Sequence, residues 1–127
     1  MRLCRYPSVI IFNTEVTDYQ SEYNNATGVF TSKYAGEVEI NGQVRVAALP
    51  TTRTASLRIR VAGVQVLETG YTNNSASDQS VYIPFNISPF LQFGDTVDVL
   101  FVHDAGGNLD ISGGATPKTT FLEITKL

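Results

Sequence analysis

The stretch "YNNATGVFTSKYAGEVEI", residues 23–40, carries several signals in close succession. A polar turn cluster, Tyr23 to Gly28, is followed by a Phe-Thr pair at Phe30 and Thr31. An Ala-Gly step at Ala35 and Gly36 then opens a segment in which Val38 and Ile40 alternate with Glu37 and Glu39. Alternation with period two sends successive side chains to opposite faces of a strand, and Asn and Gly between such runs supply turns. The stretch predicts a loop, a short strand that puts Phe30 into a core, and a longer strand with one apolar face.

The same alternation fills the rest of the chain, and helical periodicity is nearly absent. Val44 and Val46 continue it; Leu57, Ile59 and Val61 oppose Arg58 and Arg60; a turn at Ala62–Gly63 leads to Val64 and Val66. Val81, Ile83, Phe85 and Ile87 oppose Tyr82, Pro84 and Asn86, while Val97, Val99 and Phe101 form another apolar face. The chain closes with Leu122 and Ile124 against Phe121, Glu123 and Thr125. Turn clusters fall at Leu49–Arg53, Thr69–Gln79, Gly94–Asp95 and Ala105–Gly114, and Asn41–Gly42 predicts a two-residue hairpin. Pro84 cannot donate to a ladder, which places its strand at an edge or at a bulge. About eight to ten short strands at this spacing predict an all-β antiparallel sandwich.

A chain of 127 residues fits one domain, 1–127, large enough to hold a core without a disulfide or metal. Hydrophobic residues make up 43% and charged residues 17%, a globular composition. The net charge of -3 and nine scattered basic residues argue against nucleic acid as a partner. Cys4 is the single cysteine, so no internal disulfide forms, and ordinary packing or a passive surface position is its expected role. The apolar run Val9–Phe12 is too short for an exported leader or a membrane span, so a soluble protein made in the cytoplasm and not exported through a signal peptide is expected, with no membrane partner.

His103, Asp104, Asp110 and Ser112 supply the residue types of a Ser-His-Asp arrangement, but no nucleophile elbow surrounds Ser112. The expectation is that His103 ends a strand, that Asp104 opens a turn, and that the protein is not an enzyme. "HDAGGNLDISGG", residues 103–114, offers Asp104, Asn108 and Asp110 as oxygen ligands without calcium-loop spacing, so neither metal nor cofactor is expected. A cluster of Glu37 or Glu39 from several chains is a second metal reading of similarly low weight. Sequons at Asn25, Asn73 and Asn86 read as chance without an exported leader, and "TGYTNNSASDQS", residues 69–80, reads as a tolerated polar loop.

Three blocks together point further. "VIIFNTEVTDYQSEYNNATGVFTSKYAGEVEI" holds Phe12, Asn13, Tyr23, Thr27, Gly28, Phe30, Thr31 and Gly36; "LQFGDTVDV" holds a Gly94-Asp95 turn before Val97; "TTFLEI" holds a terminal Thr-Phe. In order and spacing the chain resembles the globular head domain of complement C1q, whose jelly roll is shared with tumour necrosis factor. Residues such as Lys33, Ala35, Val38, Ile40 and Glu123 stand where that family often has Pro, aromatics or Gly, which suits a distant, bacteriophage branch.

The resemblance implies a trimer. By register, Glu37, Glu39 and Asn41 from one strand and Phe121, Glu123 and Thr125 from another face neighbouring copies, with Gly36 packing closely before its strand. Arg45, Arg58 or Arg60 are expected to reach the carboxylates. The function expected is a bacteriophage virion structural protein: a trimeric decoration or cement protein on the capsid surface, bridging neighbouring major capsid or other virion subunits. The basic segment 1–8 reads as an arm, with Arg2, Leu3, Arg5 and Tyr6 as capsid contacts. The alternative is a tail-fibre receptor-binding knob or lectin-like module that binds a glycan or receptor.

Overall fold

The computed structural model describes residues 2–4, 8–10, 12, 23–24, 26–104, 109–112 and 120–127. Among them run twelve strands: β1 (Arg2–Cys4), β2 (Ser8–Val9), β3 (Tyr23–Asn24), β4 (Val29–Thr31), β5 (Gly36–Leu49), β6 (Thr54–Val61), β7 (Val64–Thr72), β8 (Gln79–Ile87), β9 (Phe90–Leu91), β10 (Thr96–His103), β11 (Leu109–Ser112) and β12 (Phe121–Lys126). They form two six-stranded antiparallel sheets, as the alternation predicts. In the first, β5 is central, with β12 and β11 along one side, β1 beyond β11, and β8 and β9 along the other. In the second the order is β3-β4-β10-β6-β7, with β2 also on β10.

The core lies between the sheets. Val38, Ile40, Val44 and Val46 of β5 and Val81, Ile83 and Phe85 of β8 meet Leu57, Ile59, Val97, Val99 and Phe101 from the opposite sheet. Phe12 and Phe85 pack at 6.4 Å between ring centroids, tilted by 58°. The opening stretch does what it predicts. Asn24 Oδ1 accepts from the Ala26 N–H at 2.8 Å, and Asn24 O accepts from the Gly28 N–H at 2.8 Å, which reverses the chain into β4. Gly28 takes φ 79° with its Cα against Ile10 O, where a Cβ would sit 2.5 Å from that oxygen. Phe30 is then buried, and Tyr23 Oη accepts the Phe12 N–H at 2.8 Å.

Three expectations fail, each for a local reason. Asn41–Gly42 is not a hairpin but the middle of the 14-residue β5. Its glycine faces inward, where a Cβ would meet the Phe121 carbonyl oxygen and come within 2.5 Å of Phe85 Cζ, so the glycine makes room for a ring rather than a turn. Gly36, by contrast, has nothing within 4 Å of its Cβ position, so close packing is not its role. Val64 and Val66 do not resume an apolar face: a bulge opposite Ile59 and Arg60 shifts the register, Leu67 comes to face Ile59, and both valines are exposed. The two-residue hairpin is at Ala62–Gly63, with φ 52° and 80°, both positive as that turn type requires. Pro84 is on an edge strand, as expected: β8 pairs only with β5 among the described residues.

The Ala105–Gly114 cluster contains a strand, β11, whose backbone pairs with β1. Arg2 and Leu3 therefore belong to a sheet edge rather than to a projecting arm; Arg5 and Tyr6, with the rest of that segment, lie outside the described residues.

A candidate interaction face on the β5 sheet

Successive pleats of the first sheet turn outward in rows fixed by the register. Glu37 stands beside Phe90, Glu39 beside Thr125, and Asn41 between Glu123 and Asn86. Gln43 stands between Phe121 and Pro84, and Arg45 beside Tyr82. The six residues expected at an interface thus share one face: Glu37 is exposed, and Glu39, Asn41, Phe121, Glu123 and Thr125 are half-buried by their neighbours. Phe121 and Pro84 give the face an apolar middle.

Arg58 and Arg60 are not on it. They face outward from the second sheet, where Arg58 Nε meets Glu68 Oε2 at 2.9 Å, and Arg60 binds Asp98 through Nε–Oδ1 at 2.8 Å and Nη2–Oδ2 at 2.5 Å. The strand count between turns, invisible in the alternation, sends β6 to the other sheet. The Asp98 hydrogen bonds raise the Arg60 pKa above its usual value, so the guanidinium keeps its charge. Arg45 is on the expected face, and its Nη2 donates to Ser80 Oγ at 3.0 Å.

Beside this face runs the edge made by β7 and β8, consecutive in sequence but in different sheets. Val64, 64% exposed, with Val66, Tyr71 and Tyr82, lines it. The sequence gives no hint of this strip, because its exposure follows from the bulge and from β7 having no outer neighbour among the described residues.

The loop joining the two strands is not a loose insertion. Asn73 is fully buried and its Nδ2 donates to Leu49 O at 2.8 Å and Ser77 O at 3.0 Å. Its Oδ1 accepts from the Ser75 N–H at 2.9 Å and from Ser75 Oγ at 2.7 Å, and its backbone bonds to Thr52 and Arg53. An amide engaged on every side and shielded from solvent cannot accept a glycan, so the Asn73 sequon is closed by the fold; Asn86 is exposed, and Asn25 lies outside the described residues.

His103 ends β10 buried against Phe101, with ring centroids 5.3 Å apart. Asp104 Oδ1 accepts the Thr54 N–H at 2.8 Å, a structural cap on β6. Ser112 and Asp110 are on β11 in the other sheet, and Asn108 lies outside the described residues. Cys4 is in β1. Among the described residues no group of three His, Cys, Asp or Glu side chains is placed to hold a metal, and no helix is long and apolar enough to cross a membrane.

No protein-family model matches the sequence, and no curated protein matches it. Solved structures do match in shape. The Eiger tumour necrosis factor of S. frugiperda superposes with a TM-score of 0.62 at 17% identity, over 83% of this chain and 67% of that one. The globular domain of zebrafish complement 1qA gives 0.62 at 18% identity, over 81% and 87%.

The fold is the tumour necrosis factor and C1q jelly roll.

At such identities the likeness carries the architecture alone.

Proposed function

We propose that the protein is a non-catalytic jelly-roll module that works as a homotrimer and, more specifically, decorates a bacteriophage capsid by bridging neighbouring subunits. What supports the trimer reading is that one chain carries two unlike apolar surfaces. A threefold ring is built from heterologous contacts, so each copy needs a patch and a different, complementary patch beside it. The Phe121–Gln43–Pro84 row is one, and the exposed apolar β7–β8 edge is the other. Large apolar side chains left in contiguous strips are costly in water unless a partner covers them.

Glu123 stands in the row next to the apolar one and Glu39 in the row beyond it, and both would be partly desolvated in the ring. A carboxylate buried without a partner costs about 3–5 kcal/mol, so Arg45 is the group expected to meet them across the contact. Trimerisation in turn multiplies weak contacts to a capsid lattice into avidity. The Arg2–Cys4 strand would meet that lattice as part of the sheet edge.

Phe121→Asp is expected to convert a trimer into a monomer in sizing chromatography with light scattering. A variant that stays trimeric removes Phe121 from the interface. The capsid reading predicts high copy number on particles and lower heat resistance after its removal. Few copies per particle, with binding to cells, would support a receptor-binding knob instead.

A further inference from the structure

Every exposed large apolar side chain among the described residues falls in one of two places. Val64, Val66, Tyr71 and Tyr82 lie along the β7–β8 edge, where the trimer uses them. Tyr34, Phe90, Phe93 and Leu127 gather at the end of the sandwich where β5 begins and β12 finishes, and the trimer leaves them unexplained. Backbone bonds bring their segments together: Phe90 pairs with Glu37, the Leu127 N–H donates to Glu37 O at 3.0 Å, and the Gly94 N–H donates to Ser32 O at 2.8 Å. Glu37 is six residues along β5 from the Phe121 row, about 20 Å away.

Tyr34 and Leu127 line a cleft of about 170 Å³ there, together with Ser32, Ala35, Gly36, Glu37, Val38 and Lys126. Lys126 Nζ sits 4.5 Å above the Tyr34 ring centroid and holds the ring from one side, yet Tyr34 stays 54% exposed. Ser32 Oγ donates to Tyr34 O at 2.5 Å and pins the backbone beneath. Phe90 of β9 and Phe93 of the turn that follows it are 61% and 76% exposed.

We infer that this cleft binds a saccharide ring. Aromatic faces carry partial negative charge and attract the polarised C–H groups of a pyranose, while Glu37 and Lys126 offer an acceptor and a donor to its hydroxyls. An acyl chain would strip water from Glu37 and Lys126 without replacing it, and a phosphate would face the Glu37 carboxylate. A neutral, polyhydroxylated ring satisfies both halves of the cleft. The inference does not require the trimer, although Glu37 also stands on the face assigned to it.

Titration of the full ¹⁵N-labelled chain with the methyl glycosides of glucose, galactose and N-acetylglucosamine tests it. At least one is expected to shift the amides of residues 32–37, 90–94 and 126–127, with a Kd of about 1 mM. Tyr34→Ala, at an exposed position, is expected to weaken binding about tenfold, and Phe93→Ala supplies a second reading. The inference is overturned if none of the three moves those amides at about ten times that concentration. It also fails if both variants bind like the parent, or if the same residues engage phosphatidylglycerol vesicles and no sugar. Light scattering on the same samples reports the trimer separately.

Discussion

Asn73→Ala is expected to lower stability by about 3–4 kcal/mol, one of the two largest single-residue effects in the protein. The reason is what the amide leaves behind. Leu49 O and Ser77 O each lose the Nδ2 donor, and Ser75 loses the acceptor for both its N–H and its hydroxyl. A buried polar group stripped of its partner costs about 1–3 kcal/mol, because no water replaces the bond. For a domain of this size the loss corresponds to a fall in Tm of about 10–15 °C. Asn73→Asp should cost more still: it keeps the acceptor but sets a buried carboxylate against two carbonyl oxygens. A thermal melt of Asn73→Ala within about 3 °C of the parent would show that the loop does not depend on this residue.

Gly42→Val is expected to be the other. The added side chain enters the space of the Phe85 ring and of the Phe121 carbonyl oxygen, and that oxygen belongs to the β12 backbone. Overpacking a core costs about 1–3 kcal/mol when neighbouring side chains can shift, and more when a strand must. Gly42→Ala should therefore cost about 2–3 kcal/mol, and Gly42→Val should separate β12 from β5 and leave little folded protein. Denaturant unfolding at one fixed protein concentration checks both, since oligomerisation makes apparent stability depend on concentration. A Gly42→Val chain as stable as the parent would mean that β12 is not packed over Gly42 as described.

These two positions mark where sequence reading stops. The alternation of Leu57, Ile59 and Val61 with Arg58 and Arg60 is legible because one face of β6 is buried and the other wet, and the same holds for β5, β8, β10 and β12. The choice of Glu37, Glu39, Asn41, Phe121, Glu123 and Thr125 as a face came from the resemblance, and alternation explains why they share one side of the sheet. Gly42 was not legible, because Asn-Gly carries a strong local turn signal and only the Phe85 ring, distant in sequence, overrides it. Asn73 sits among turn residues, and nothing local distinguishes a buried amide from a solvated one. The β7 bulge, which exposes Val64 and Val66, depends on pairing with β6 and has no signature of its own. Alternation assigns residues to faces but not strands to sheets, and that is why Arg58 and Arg60 were expected beside carboxylates that lie in the other sheet.

The central claim is that the face around Phe121 and the β7–β8 edge of a second copy cover one another in a closed ring of three. Light scattering of the eluting native protein measures this directly. A mass three times that of one chain, falling to one chain in Phe121→Asp, is the predicted result; a parent protein with the mass of a single chain would contradict it.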